Sequence, residues 1–198
     1  MTPALTRPIA ALLSLAAVGT LALQTYVDVA AGTALGTSIW DQALFFTNIT
    51  VLMVALICGW TAVRGWPGAS WPAGLVLWIV LTGVVYHALL ARTHNPEGLD
   101  VLVNIFQHTV LPIGVALAWL LLAPKAGLSL RDPMLWACYP IVYAAYGLIR
   151  GLTGPRFPYF FLDPVKSGWV GVAAYSFGLA MLFFVMGLVV LWIARRTA

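Results

Sequence analysis

Residues 99 to 123 read LDVLVNIFQHTVLPIGVALAWLLLA. The run is long enough to cross the roughly 30 Å of hydrocarbon in a bilayer, because a helix rises about 1.5 Å per residue. Its middle nevertheless contains Asn104, His108 and Pro112. Polar and ionisable residues within spans are rare and usually face the bundle interior or a water-filled cavity. The run therefore predicts a membrane-spanning helix with a buried polar face.

Pro112 bears on the placement of His108. Proline has no N–H, and its ring crowds the carbonyl four residues earlier, which here belongs to His108. We expect the helix to bend beside the histidine and to leave a carbonyl without its helical donor. Because such a group must be buried in protein or face water, His108 is predicted to point inward.

The composition of the whole chain is that of a membrane protein. Of its 198 residues 62% are apolar and 8% are charged, against roughly 45–50% and 25% in an ordinary soluble domain. We predict an all-α fold, a single domain over residues 1–198 made of six transmembrane helices. The predicted spans are Pro8 to Ala31, Trp40 to Val63, Trp71 to Arg92, Leu99 to Ala123, Asp132 to Leu152 and Gly168 to Ala194.

The first span has an alternative interpretation as a cleaved signal peptide. Arg7 precedes an apolar core, and Val29, Ala30 and Ala31 resemble a small-residue cleavage site. The run is longer than a usual signal-peptide core and carries Gln24, so we favour a retained span.

Basic residues in the loops indicate the orientation. One side of the predicted bundle holds six Lys and Arg residues and the other holds four, and positive residues are enriched in cytoplasmic loops. We therefore expect both termini in the cytoplasm of a bacterial cell, with the chain as a multi-pass protein of the cytoplasmic membrane. The larger set is Arg7, Arg64, Lys125, Arg131, Arg195 and Arg196; the smaller is Arg92, Arg150, Arg156 and Lys166.

Several classes of site find no support in the sequence. Cys58 and Cys138 both lie in apolar runs, so no disulfide framework or CxxC site is available. No HxxxH or ExxH spacing occurs on a span, and no GxGxxG, P-loop or CxxCH motif is present. The net charge of +4 is scattered and forms no basic patch. We expect no metal, no cofactor and no nucleic-acid partner; the oligomeric state stays open.

Polar residues of several predicted spans share one depth, toward the outer side. Counted along antiparallel helices, the polar residues of spans 2 and 4 lie roughly 8 to 14 Å below the outer ends of these spans. Spans 1, 3 and 5 and the last outer loop carry polar residues toward the same side. We predict one polar cavity open to the outer leaflet, in which Arg150 pairs with Asp28, with Asp163 or with an anionic ligand. The set is Thr47, Asn48, Asn104, His108, Tyr86, His87, Tyr139, Tyr143, Tyr146, Arg150, Gln24, Asp28 and Asp163.

Structural roles compete with functional ones at these positions. A histidine or threonine within a bundle often serves only as an interhelical hydrogen-bonding group. The tyrosine stripe is typical of core packing with satisfied hydroxyls. Gly147 and Gly151 form a GxxxG spacing that permits close helix packing. His94 is interpreted as a solvated loop residue.

Five motifs carry a resemblance to a known family. They are FFTNITVL at 45 to 52, LTGVVYHALL at 81 to 90, NIFQHTVLP at 104 to 112, YPIVYAAYGLIRG at 139 to 151 and PYFFLDP at 158 to 164. In this order they resemble the bacterial "Pr-six-Pr" family of small integral membrane proteins. That family is similar, more distantly, to the eukaryotic androgen-induced-gene and androgen-dependent tissue-factor-regulating membrane proteins, which are threonine-dependent hydrolases of fatty acid esters of hydroxy fatty acids.

The resemblance implies roles for particular residues. The threonine of the eukaryotic motif falls on Thr47, and the histidine falls near His108, although the eukaryotic pattern has one more residue before its Leu-Pro. Membrane lipids, and a lipid ester as substrate, are the implied partners. Thr47 would be the nucleophile and His108 its general base, with Asn48 or Asn104 donating to the oxyanion. Arg150 would anchor a lipid carboxylate.

A second hypothesis is a non-enzymatic membrane protein. In that case the polar layer holds a ligand or fixes the register of the helices, as in a binder, a small transporter or an accessory subunit. The two hypotheses differ in one geometric requirement. An enzyme needs the Thr47 hydroxyl and the His108 imidazole within hydrogen-bond reach, directly or through one water.

Overall fold

The computed structural model describes residues 3–197, which form helices joined by short loops, with no β-strand in that range. The all-α prediction is confirmed. A 3₁₀ turn at Phe160–Leu162 precedes the last helix, which is interrupted by non-helical backbone at Gly168. The helices are α1 (Pro3–Ala30), α2 (Leu35–Gln42), α3 (Phe46–Arg64), α4 (Ser70–Leu90), α5 (Leu99–Leu122), α6 (Arg131–Thr153) and α7 (Pro164–Thr197).

Five of these helices are long and apolar enough to cross a membrane: α1, α3, α4, α5 and α7. The chain is a multi-pass membrane protein. Helix α6 has 23 residues, which is sufficient length, but its polar face makes it less apolar than the other five. Large apolar side chains on the outside of the bundle are widely exposed, including Leu15, Leu121 and Phe177. Such a surface suits lipid rather than water.

Helix α4 lies at the centre of the bundle. It contacts α3, α5, α6 and α7, while α1 packs mainly against α3 and also against α5. Glycines on α4 allow the close approach of its neighbours. A Cβ on Gly74 would lie 2.8 Å from the ring of Trp136. The buried face of α4 therefore sets the spacing of the helices that carry the candidate site.

The second predicted span begins later than expected. Instead of one helix from Trp40, the structure has the short helix α2, a break at residues 43–45, and then α3 from Phe46. Thr47 consequently lies in the first turn of α3 rather than seven residues inside a longer helix. The prediction of a continuous helix was wrong because hydropathy alone cannot detect backbone groups that find partners on another helix.

Helices α4 and α5 each contain one π-helical turn, at Tyr86–Leu90 and at Phe106–Val110. The second turn lies just before Pro112 and accommodates the proline without ending the helix. Gly83 of α4 packs directly against this point: a Cβ there would lie 2.6 Å from the His108 carbonyl oxygen and 3.2 Å from Pro112 Cγ. The carbonyl that Pro112 deprives of its donor is therefore covered by the backbone of α4.

Candidate functional site

Thr47 and His108 meet between α3 and α5. The Thr47 Oγ1 lies 3.3 Å from the His108 Nε2, and His108 is 9% exposed. The separation is slightly long for a hydrogen bond, as is common for catalytic pairs without a bound substrate. The sequence placed these residues on different helices, and the structure brings their reactive atoms together.

Asn104 fixes the tautomer of His108. The His108 Nδ1 lies 2.7 Å from the Asn104 Oδ1 and 3.2 Å from the Asn104 backbone oxygen. Because both neighbours are acceptors, Nδ1 carries the proton and donates, which leaves Nε2 with its lone pair directed at Thr47. This is the tautomer that a general base requires. Asn104 therefore orients the imidazole, and it does not occupy the oxyanion position proposed for it.

Tyr86 supports this arrangement from α4. Its ring stacks on the His108 imidazole with a centroid separation of 3.8 Å and an interplanar angle of 19°. The Asn104 Nδ2 donates to the Tyr86 hydroxyl, which keeps the Asn104 oxygen turned toward His108. The Tyr86 hydroxyl also lies 3.1 Å from the His94 Nδ1. A hydrogen-bonded chain thus runs from His94 through Tyr86 and Asn104 to His108 and Thr47.

A polar cavity of about 410 Å³ opens beside the pair. Both Thr47 and His108 line it. Asp41 and Arg156, which also line it, form an ion pair at 3.0 Å, which leaves Asp28 as the remaining carboxylate of its lining. The remaining lining residues include Gln24, Asp28, Gln42, Asn48, Tyr86, His94, Gln107 and Tyr159.

A second, smaller cavity of about 70 Å³ lies on the other side of Thr47. Its lining is mostly aliphatic and aromatic, including Leu81, Val85 and Phe183. Thr47, Tyr86, Leu90 and Tyr159 line both cavities. Thr47 therefore lies where the polar cavity and the apolar cavity meet.

Tyr159 reaches this boundary from the loop between α6 and α7. Burial raises the pKa of its phenol above the ordinary value. The hydroxyl is therefore protonated at neutral pH and can donate a hydrogen bond.

The loop between α6 and α7 packs on glycines of α6. A Cβ on Gly147 would lie 3.2 Å from Leu162 and from Pro158, and Gly151 lies directly beneath the ring of Phe157. The GxxxG spacing thus accommodates a loop rather than a second helix.

Tyr143 and Tyr146 position the start of α3. The Tyr143 hydroxyl donates to the Leu44 carbonyl at 2.9 Å, and the Tyr146 hydroxyl donates to the Ala43 carbonyl at 2.9 Å. These carbonyls lie in the break after α2 and have lost their helical donors. In a membrane protein such groups need internal partners. The tyrosine stripe therefore stabilises the break that places Thr47 in the first turn of α3.

Arg150 is held by neutral partners. Its guanidinium donates to the Tyr146 hydroxyl at 2.6 Å and to the Trp40 carbonyl at 3.1 Å. It also stacks on the Trp40 ring at 3.7 Å and lines neither cavity. Arg150 therefore pairs with neither Asp28 nor Asp163, and its binding of a ligand carboxylate stays a prediction.

The two acidic residues have other partners. Asp28 accepts hydrogen bonds from Ser38 at 2.6 Å and from Gln24 at 3.1 Å, and it lines the polar cavity. Asp163 accepts from the Val165 N–H at 2.9 Å at the start of α7 and lines neither cavity.

Two other predicted residues contribute little to the reactive pair. Asn48 lines the polar cavity, but its Nδ2 donates to the Gln42 carbonyl at 3.2 Å. His87 lies 3.1 Å from the Thr109 hydroxyl on the exposed side of the helices and lines neither cavity. His87 is thus outside the site.

No protein-family model, no curated protein and no solved structure matches this chain. Within residues 3–197 no group of three or more His, Cys, Asp and Glu side chains is arranged to hold a metal ion.

Several residues at the site could not be predicted from the sequence, or only weakly. Gln107 precedes His108 in an apolar span, and a glutamine there is itself an unusual polar residue. His94 is an exposed loop residue, as interpreted, but its hydrogen bond to Tyr86 and its place on the cavity lining were not predicted. Tyr159 lies in the PYFFLDP motif at 158 to 164, but the motif indicated no role for it, and no local pattern distinguishes Arg156 from other loop residues.

Proposed function

We propose that this chain is an intramembrane hydrolase of fatty acyl esters, with Thr47 as nucleophile and His108 as general base. The single observation that carries the proposal is the approach of Thr47 Oγ1 to His108 Nε2 at 3.3 Å, with Asn104 holding Nδ1 on the opposite side of the ring. A nucleophile, a base and a group that orients the base are the three parts of a hydrolytic triad.

The two cavities support an acyl ester as substrate class. The apolar cavity on one side of Thr47 suits an aliphatic chain, and the polar cavity on the other suits the released alcohol or acid and the attacking water. An ester bond lying between a hydrocarbon part and a polar part would meet the threonine at the boundary. Membrane lipids supply molecules of this kind.

The reaction follows from these positions. The Thr47 hydroxyl attacks the ester carbonyl carbon while its proton passes to His108 Nε2, and a tetrahedral oxyanion forms. The intermediate then releases the alcohol, which takes the proton from His108 and leaves an acyl-threonine. Water activated by the same Nε2 attacks the acyl carbon, so that the acid is released and Thr47 regains its proton.

The proposal includes six spans, with α6 crossing the membrane as the fifth. Its stripe of Tyr143, Tyr146 and Arg150 finds partners inside the bundle, while Val142 and Ile149 on the outer side are more than half exposed. Both termini would then lie on the cytoplasmic side of a bacterial membrane, and the chain would belong to the Pr-six-Pr family that its motifs resemble.

Fluorophosphonate labelling tests the proposal. The probe should label the purified wild-type protein, with the adduct on Thr47. Labelling should be lost in Thr47→Ala. In His108→Ala the rate of labelling should fall about 10²- to 10⁴-fold. Thr50→Ala is the matched control, because Thr50 lies on the same helix, bonds to Tyr139 and lines neither cavity. Unchanged labelling in Thr47→Ala, or none in the wild type, would favour a non-enzymatic protein whose Thr47–His108 contact only joins two helices.

A further inference from the structure

The polar cavity carries one carboxylate that has no cation beside it. The carboxylates and guanidinium of its lining belong to Asp28, Asp41 and Arg156. The Arg156 guanidinium pairs with Asp41, and no Lys, Arg or His of residues 3–197 lies within ion-pair distance of Asp28. Two carboxylates against one guanidinium leave the lining with a net negative charge when its histidines are neutral. Asp28 is the source of that charge.

Neutral donors hold the Asp28 side chain in place. The buried Ser38 hydroxyl donates to Oδ2 at 2.6 Å, and the Gln24 amide donates to Oδ1 at 3.1 Å. The Gln42 amide in turn donates to the Ser38 hydroxyl at 3.2 Å. A carboxylate offers roughly four acceptor positions, so about two remain for a ligand.

The same hydrogen bonds connect Asp28 to the start of α3. The Gln42 backbone oxygen accepts from Asn48 Nδ2 at 3.2 Å, and Asn48 follows Thr47 in the chain. Asp28, Gln42, Asn48 and Thr47 all line the polar cavity. An ester whose acyl chain occupies the apolar cavity places its alcohol part on this side of Thr47, and Asp28 faces the space that the alcohol enters.

We propose that Asp28 selects the alcohol part of the substrate. It accepts a hydrogen bond from a hydroxyl of that alcohol, and it repels an alcohol that carries a carboxylate. The substrate class is then an ester of a neutral polyhydric alcohol, as in an acylglycerol. This inference rests on the proposed function, and it differs from the family resemblance, which implies an alcohol part that bears a carboxylate.

Two physical effects support this selection. Like charges brought together in a partly desolvated cavity cost free energy, and specific sites use such repulsion as well as attraction. A site with a hydrogen-bonding group for a substrate hydroxyl also discriminates against an analogue that lacks the hydroxyl.

Three decanoate esters that differ only at the far end of the alcohol test the assignment. They are the hydroxyethyl, carboxymethyl and propyl esters, in which that end is a hydroxymethyl group, a carboxylate or an ethyl group. Purified full-length protein in lipid nanodiscs provides kcat/KM for each ester, divided by the rate constant of the same ester in imidazole buffer to remove differences in intrinsic reactivity. The proteins are the wild type, Thr47→Ala, Asp28→Asn, Asp41→Asn and the matched control Asp163→Asn, whose carboxylate lies outside both cavities.

The expected result depends on charge at Asp28. The wild type should prefer the hydroxyethyl ester to the carboxymethyl ester by about 10-fold or more, and it should also prefer it to the propyl ester. Asp28→Asn keeps an acceptor for Ser38 and removes the charge, so the preference over the carboxymethyl ester should fall about 10-fold. Asp41→Asn frees the Arg156 guanidinium, so hydrolysis of the carboxymethyl ester should rise. Asp163→Asn should retain the wild-type preference.

The contrary outcomes are distinct. Hydrolysis that depends on Thr47 but favours the carboxymethyl or propyl ester overturns this inference alone, and so does a preference that Asp28→Asn leaves unchanged. If Asp28→Asn fails to fold, an unchanged carboxymethyl rate in Asp41→Asn overturns the inference. Wild-type hydrolysis of all three esters no faster than in Thr47→Ala overturns the proposed function and this inference together.

Discussion

His108 illustrates how neighbours on three helices define the orientation of one side chain. The Asn104 oxygens accept a hydrogen bond from Nδ1–H. The Tyr86 ring stacks on the imidazole and so restricts its plane. The Thr47 hydroxyl lies 3.3 Å from Nε2. Each contact removes one freedom of the ring: its tautomer, its tilt or its direction. A histidine that served only as interhelical glue would need one hydrogen bond rather than all three constraints.

Asn104 should therefore act as a positioning residue. In Asn104→Leu the imidazole loses the acceptor that fixes Nδ1–H, and we expect the rate of fluorophosphonate labelling to fall about 10- to 100-fold, less than on loss of the base itself. Asn104→Asp keeps an acceptor at the same place and should recover most of the rate. Equal losses in the leucine and aspartate variants would contradict this role.

At the residue scale the sequence singled out Thr47 and His108 and missed part of their surroundings. His108 could be predicted to face inward because an ionisable residue in a span is costly, whereas the approach of Thr47 to it was expected from the family resemblance. The partners of Arg150 could not, since the Trp40 carbonyl that it binds is a backbone group 110 residues away. A cation in a loop or at a helix end gives no local sign of whether a ligand or the backbone occupies it.

The helices depart from regularity where the site is built. The break between α2 and α3 and the π turns of α4 and α5 surround Thr47, Tyr86 and His108. An irregularity near Pro112 could be predicted from the proline, and the structure has a π turn there, whereas the break at residues 43–45 depends on tyrosines of α6. Hydropathy predicted the lengths of α4 and α5 well because most of their environment is apolar.

Gly83 should be required for the packing of α4 against α5. An alanine Cβ would lie 2.6 Å from the His108 carbonyl oxygen, a backbone atom that cannot rotate away. We expect Gly83→Ala to destabilise the protein by about 1–3 kcal/mol through overpacking, and to slow labelling by displacing His108. Thermal unfolding in detergent measures the first effect.

A glycine on α7 offers the matched control for this substitution. A Cβ on Gly178 would meet nothing within 4 Å, and alanine has the higher helix propensity. Gly178→Ala should leave the thermal midpoint unchanged or raise it slightly. A midpoint for Gly83→Ala equal to that of Gly178→Ala would show that α5 can move away at no cost.

At the scale of the whole molecule, the distribution of polar groups is the reverse of a soluble protein's. Exposed leucine, valine and tryptophan side chains surround the bundle, while Tyr86 and His108 of the hydrogen-bonded chain are buried inside it. Helix α6 combines both features, with exposed aliphatic residues on one side and the tyrosine stripe on the other. Its modest overall hydropathy is a consequence of that inward stripe, which is why a hydropathy threshold excludes it although its length suffices.

If α6 crosses the membrane, the loops on either side of it must lie on opposite faces. Glu97, Ala126 and Lys166 occupy exposed loop or helix-end positions. Each can be replaced singly by cysteine in a background that carries Cys58→Ala and Cys138→Ser. Intact bacterial cells that express each variant are then treated with a membrane-impermeant maleimide. Glu97→Cys and Lys166→Cys should react directly, and Ala126→Cys only after permeabilisation, since basic residues favour the cytoplasmic side for residue 126.

Reaction of positions 126 and 166 from the same side would mean that α6 does not span the bilayer. The loop carrying Tyr159 would then lie on the opposite side from His94, although both line the same cavity. The cavity itself therefore argues for the six-span arrangement, and the labelling pattern tests both at once.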